Sequence, residues 1–422
     1  MDILLKNVMI IDVAFAKEAT PQDILIKNGR IEQIGKGLVA VAGIPQKDVK
    51  GACASIGWMD VGVQTGDPGF EHREDHQSVA KAAAAGGFTA IGCQPNNFPV
   101  TDHKTAVHYI TRNTAHELVD FFPIGAITKD CKGTEITEMI DMHHAGAIAF
   151  SDGEHPVQHA GVMMRALQYV KSFDGIVINL PIDQTLSHHG QMHEGMMSTS
   201  LGMRGIPALA ETLAVQRDID LLEYCDSKLH FAAVSSAKSI ELIRAAKANG
   251  LALTAAVPAI NLAFTDEQLL DFDTHYKVMP PLRSQADQEA LIAALADGTI
   301  DLVSSMHHPQ DEEAKKLEFP YANFGALGLQ TAFAVVNTTL NWEPAQLVKT
   351  LAIRPRQIFK LPIPELAVGA PANLTLFDPS TDWQFTPASN HSKSANSPFF
   401  GYPLKGKVLG VINNNQAYFA EE

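Results

Sequence analysis

Short apolar runs punctuate the chain, and their spacing changes twice. Near the N-terminus they alternate with polar positions. Ile3-Leu4-Leu5 and Val8-Met9-Ile10-Ile11-Asp12 come first, then Asp23-Ile24-Leu25-Ile26-Lys27 and Arg30-Ile31-Glu32-Gln33-Ile34 around Asn28-Gly29. Period-two alternation marks half-buried strands, and Asn-Gly between two such runs marks a hairpin. The same texture returns at the other end: a Pro371-Ala372-Asn373 turn, an apolar run over 374–378, another over 406–412, and Asn414-Asn415 before Gln416-Ala417-Tyr418-Phe419. The two ends predict one small discontinuous β-sandwich domain, built from residues 1–54 and 367–422. Within the second piece, residues 383–400 are polar and turn-rich, which predicts an extended loop returning over the middle of the chain.

Residues 55–366 follow a different rhythm. Apolar runs rich in β-branched residues recur at 56–64, 88–93, 120–127, 145–150, 175–180, 228–234, 251–257 and 301–305, each followed by a helix-like segment. Ala237-Lys238-Ser239-Ile240-Glu241-Leu242-Ile243 shows the helical period, and Gly250 is a plausible stop. Eight strand–helix units predict a parallel sheet, and eight strands close a (β/α)8 barrel. Functional groups of such a barrel sit at the C-terminal ends of its strands. That is where candidate chemistry is sought.

Composition narrows the classes. The 422 residues are 46% apolar and 19% charged, with a net charge of −15 spread along the chain. This balance argues against disorder and against nucleic acid or an anionic membrane as a partner. No apolar window approaches the length of a membrane span. The four cysteines (Cys53, Cys93, Cys131, Cys225) show no Cys-x-x-Cys spacing, so neither a disulfide framework nor a thiolate zinc site is expected, and a reducing cytoplasm fits best.

The first barrel strand runs into Asp60-Val61-Gly62-Val63-Gln64-Thr65-Gly66-Asp67-Pro68-Gly69. This stretch resembles the barrel opening of dihydroorotases of the long, multifunctional-complex type, within the cyclic amidohydrolases, where the pattern is Asp-x-His-x-His-x-x-x-Pro-Gly. Further resemblance lies in Ala82–Thr89, Glu194-Gly195-Met196-Met197-Ser198, Leu201-Gly202-Met203-Arg204-Gly205-Ile206-Pro207, Phe324-Gly325 and Asn396–Gly401. The resemblance implies an amidohydrolase barrel with a zinc site at its mouth, yet the residues of that site are replaced. The two zinc histidines of strand one stand as Gly62 and Gln64, and the arginine that clamps the substrate carboxylate stands as Gly66. The histidine of strand five is Leu180 in Asn179-Leu180-Pro181-Ile182-Asp183, and that of strand six is Ala233 before Val234-Ser235-Ser236. The catalytic aspartate of strand eight is Met306 in Ser305-Met306-His307-His308-Pro309-Gln310, and the substrate-holding histidine is Gln310. The substrate-binding asparagine of Lys277-Val278-Met279-Pro280-Pro281-Leu282-Arg283 is Met279. Two family residues stay: Asn96 after strand two, in a Pro-Asn that is also an ordinary turn, and Asp152 after strand four, matching a metal-bridging carboxylate.

Water activation on zinc needs several convergent nitrogen or carboxylate ligands. Glycine offers none, a neutral amide is a poor ligand, and Leu and Met make the mouth apolar. The sequence therefore predicts a catalytically inactive dihydroorotase-like protein of pyrimidine biosynthesis that needs no cofactor. Inactive members of the family resemble structural partners of aspartate transcarbamoylase, and a homo-oligomer is expected. The alternative is an active amidohydrolase, interconverting dihydroorotate and carbamoyl aspartate or acting on another cyclic amide, through an altered site or a zinc site rebuilt from His307, a histidine of the loop after strand five (His188, His189, His193) and Asp152. A third reading is a small-molecule binding barrel with an apolar mouth formed by Leu180, Met279 and Met306. Met192, Met196, Met197 and Met203 are expected to fill gaps in the core.

Overall fold

The computed structural model describes residues 1–11, 20–39 and 43–421; Asp12, the last residue of the second apolar run, lies outside them. Eight parallel strands follow the predicted runs in order: Trp58–Val63, Phe88–Cys93, Asp120–Gly125, Ala149–Phe150, Val177–Asn179, Leu229–Phe231, Leu253–Pro258 and Leu302–Ser304. Neighbours in this order pair along their backbones. The last strand meets the first through side chains as well as backbone. Ser304 Oγ donates to the Val61 carbonyl, Ser305 N donates to Asp60 Oδ1 at 2.9 Å, and Gln64 N donates to the His307 carbonyl at 3.0 Å. The ring is thereby closed as a (β/α)8 barrel. Several predicted strands are shorter in the structure: strand four starts at Ala149 because Ala145 caps the helix Met139–His144.

Helices cover the barrel because their ends are written into the sequence. Asp75 caps His76–Ala85 by accepting from Ser78 N, and Ser78 returns a bond to the Asp75 backbone. Ser236 caps Ala237–Ala248, and Ser284 caps Gln285–Asp297, which ends at a left-handed Gly298.

The chain ends meet in one mixed eight-stranded sheet. Ile3–Ile10 pairs with Gln22–Lys27 and Cys53–Ile56. Cys53–Ile56 then pairs antiparallel with Leu374–Gln384, which runs against Pro403–Asn413. An aromatic cluster joins this sheet to the barrel. Fully buried Trp58 of the first barrel strand lies 4.8 Å from Phe333 and 5.1 Å from Phe377 of the sheet. Such pairs contribute about 0.5–1.5 kcal/mol each beyond burial.

The segment predicted to return over the barrel does so after strand Leu374–Gln384 has ended. Ser392 Oγ donates to Glu74, Ser394 Oγ donates to the Arg73 carbonyl at 2.8 Å, and Asn396 Oδ1 accepts from Gln310 N at 3.1 Å. This loop seals one side of the mouth. Of the four methionines assigned to the core, Met192 is buried and Met197 and Met203 pack beside it. Met196 is instead 89% exposed, at the first position of a short surface helix.

Candidate functional site

At the end of strand one two glycines hold the backbone at positive φ. Gly62 sits at φ +97°, where the register against strand two slips between Val61 and Val63. Its conformation is one that side-chain-bearing residues adopt only with strain. Gly66 sits at φ +70°, and a Cβ there would fall 2.3 Å from the Glu74 carbonyl oxygen. An arginine has no room at that place. Asp60, buried in the middle of the same strand, accepts from Ser305 N and Ser305 Oγ. Burial pushes its carboxyl up to about 6.

At the ends of several other strands, hydrocarbon side chains gather. Leu180, Ile182, Ile206, Ala210 and Ala233 form one buried cluster, with Met279, Met306 and Phe324 packed against it. Leu180, Ala233, Met279 and Met306, which the resemblance sets against two metal histidines, a substrate asparagine and the catalytic base, thus belong to one apolar cluster. Met306 holds φ +46°, a left-handed conformation that Asp and Asn tolerate better than Met. The turn keeps it there, since Ser304 Oγ accepts from Met306 N and Ser305 Oγ accepts from His307 N, both at 3.1 Å.

Asp152 and Asn96 are committed to neighbouring loops. Asp152 Oδ1 accepts from Thr128 N at 2.8 Å and its other oxygen accepts from Thr128 Oγ1. Burial raises its carboxyl to about 6. The Asn96 amide donates to the Asp152 carbonyl at 3.0 Å and accepts from Glu154 N at 3.1 Å, so its present role is to hold the loop after strand four.

His307 does not join Asp152 in a new site. Its Nδ1 accepts from Gly328 N at 3.4 Å, which leaves Nε2 to donate to Glu74 at 3.3 Å. His188 and His189 are exposed and line neither of the cavities described below. His193 faces Arg283 at 3.1 Å; burial first, and then the guanidinium, pull its pKa down to about 4. Arg283 in turn belongs to a buried network with Ser235, the Ile206 carbonyl and Glu211. Among the described residues no group of three His, Cys, Asp or Glu side chains is placed to hold a metal ion. The donors at the mouth do not fit the zinc that the resemblance implies.

Two cavities open at the strand ends. The inner one, about 230 Å³, is lined by Leu180, Met279, Met306 and Phe324 together with Gln64, Gln94 and Asn261, among others. The outer one, about 410 Å³, is more polar and includes Arg73, Asn96, Asp130 and Gln310. Gln64, Glu154, His155, His308 and Phe324 border both.

Relatives share the chain over almost its whole length. A dihydroorotase of Pelotomaculum thermopropionicum is 42% identical over 416 residues, covering 98% of this chain and 97% of its own. The chain belongs to the dihydroorotase family. A second dihydroorotase, from Syntrophotalea carbinolica, is 39% identical over 418 residues. The family model described as dihydro-orotase-like matches residues 55–239. Among solved structures, an L-hydantoinase (dihydropyrimidinase) from Arthrobacter aurescens superposes with a TM-score of 0.85 over 100% of this chain and 98% of its own, at 24% identity. That likeness supports the amidohydrolase-type barrel with its separate sheet domain. Among the described residues no helix is long and apolar enough to cross a membrane.

Of the carboxylates at the mouth, Asp60 and Asp152 accept from hydroxyls and backbone amides, whereas Glu154 faces His308 Nε2 at 3.5 Å and Asp130 accepts from Lys132 Nζ at 2.8 Å. Sequence reading missed Glu74, which is fully buried and accepts from Ser78, Ser392, His307 and the Lys393 backbone. A glutamate just before a capping residue, in a loop rich in charge, gives no sign that, besides nearby Ser78, partners from two distant segments converge on it. Sequence reading also missed Gln94 and Asn261 in the inner cavity wall; a lone amide carries no pattern.

Proposed function

We propose that this chain is a non-catalytic member of the dihydroorotase family, serving pyrimidine biosynthesis as a structural partner of aspartate transcarbamoylase in the cytoplasm. The observation that carries the reading is the apolar cluster of Leu180, Ala233, Met279 and Met306 at the places of the family's ligands and base. Two features of strand one support it. The positive φ of Gly62 and the closed space at Gly66 leave no ready conformation for a histidine or an arginine. The partner rests on the family resemblance, and a homo-oligomer is part of the same proposal. No cofactor is assigned.

The test is sedimentation velocity of the purified chain, alone and mixed with aspartate transcarbamoylase from the same source. A faster joint boundary supports the partnership. Independent boundaries at concentrations well above those of the cell would overturn it. The active alternative requires zinc, so zinc content and turnover test it.

A further inference from the structure

Where the two cavities meet, a carboxylate lacks a donor. Glu154, His155 and His308 border both cavities. Glu154 Oε2 lies 3.5 Å from His308 Nε2, and Glu154 Oε1 lies 3.8 Å from His155 Nε2, beyond hydrogen-bond reach. Gln310 decides the state of His308. Its Oε1 accepts from Asn323 Nδ2 at 3.3 Å and its Nε2 donates to the Phe324 carbonyl at 3.1 Å. The amide is thereby fixed, since the opposite orientation would set two oxygens together. The same Nε2 lies 2.9 Å from His308 Nε2, so that ring nitrogen accepts and carries no proton. Burial also holds the pKa of His308 below its ordinary value. A carboxylate oxygen and an imidazole lone pair therefore face each other, two acceptors with no donor between them.

The cations of the protein are engaged elsewhere. Arg73, on the wall of the outer cavity, gives Nε to Asp311 at 2.8 Å. Among the described residues no lysine or arginine lines the inner cavity. Beyond Glu154 that cavity is largely hydrocarbon, with Leu180, Ile260, Met279, Met306, Phe324 and Phe399 in its wall and a volume of about 230 Å³. Roughly 150 Å³ of apolar space already suffices for benzene. An ammonium group can place one N–H on each acceptor, and thioethers and phenyl rings favour an aromatic body behind it. A carboxylate would meet a like charge at the same point.

We propose that the mouth binds a small primary amine with a flat apolar body, its ammonium between Glu154 and His308 and its body among Leu180, Met279, Met306 and Phe324 in the inner cavity. The inference rests on the reading of a mouth without metal, and gives that mouth a cationic ligand class.

The experiment titrates the full chain by calorimetry at low ionic strength with 2-phenylethylamine, 2-phenylethanol, 3-phenylpropionate and ethylamine. 2-Phenylethylamine binds about fivefold more tightly than 2-phenylethanol, the effect of a partly exposed ion pair, and 3-phenylpropionate binds more weakly than either. Ethylamine, without the ring, binds at least about tenfold more weakly than 2-phenylethylamine. In Glu154→Gln the aromatic amine falls to the level of the alcohol while the alcohol keeps its affinity, which shows that the cavity is intact. Absence of binding by 2-phenylethylamine, an amine no tighter than the alcohol, ethylamine as tight as its aromatic counterpart, or an advantage that survives Glu154→Gln overturns the proposal. Zinc content and turnover are measured on the same preparation. A zinc-free, inactive sample with no preference for the amine overturns this inference alone, whereas zinc with turnover overturns the reading beneath it.

Discussion

Replacing Asp152 by asparagine separates a loop clamp from a metal ligand. The carboxyl is buried, accepts from Thr128 N and Thr128 Oγ1, and is held at about 6 by burial against an ordinary 3.8. At 1.36 kcal/mol for each tenfold in proton affinity, its charged form costs the fold about 3 kcal/mol. Because the folded value is raised, the group's contribution is fully present below about pH 4 and is lost as pH rises through about 6. Asparagine keeps an acceptor for Thr128 N and does not titrate. Urea unfolding of both proteins at pH 4.5 and pH 7.5 therefore shows Asp152→Asn gaining on the wild type by about 2 kcal/mol between the two, about 1 kcal/mol of the full effect being already present at pH 4.5. The raised carboxyl of Asp60 titrates in both proteins and cancels in the difference. The reasoning is refuted if the variant loses ground at pH 7.5, since that would mean a cation stabilises the Asp152 anion.

Three further outcomes follow from the same geometry. Glu74→Ala strands buried donors on His307 and Ser392 and lowers unfolding stability by about 3–5 kcal/mol, with faster proteolysis within 385–400; unchanged urea unfolding would show that the return loop is held elsewhere. Gly66→Ala places a Cβ against the Glu74 carbonyl at positive φ and costs several kcal/mol in the same assay, whereas Gly62→Ala, which asks the Ser304 hydroxyl at 3.3 Å to give slightly at a positive φ, costs about 1–2 kcal/mol. Met306→Asp returns a carboxylate to the base position in a backbone conformation suited to it, yet gives no cyclisation of carbamoyl aspartate because no metal site accompanies it; measurable turnover would contradict that.

Much of the barrel was legible because its strands are buried on both faces and read as uninterrupted β-branched runs. The short strands at Ala149–Phe150 and Val177–Asn179 were overestimated, since small and apolar residues of the flanking turns extend the run beyond the paired residues. Single residues at strand ends were legible only through the family frame, which placed Gly62, Leu180, Ala233 and Met306 opposite ligands. Their gathering into one apolar cluster depends on contacts across the barrel that no local spacing encodes. The same holds for Glu74, whose partners lie up to 319 positions away along the chain, and for His307, whose ring is consumed by Gly328 and Glu74 rather than offered to the mouth.

The central claim is that the mouth neither holds zinc nor turns over substrate. Its most direct test is elemental analysis of the chain purified without chelator and with zinc in the medium, paired with assay of dihydroorotate formation and hydrolysis on the same sample. The account predicts zinc far below one ion per chain and no turnover above a protein-free blank. Stoichiometric zinc together with turnover would contradict it, and would mean that the strand ends rearrange to gather ligands.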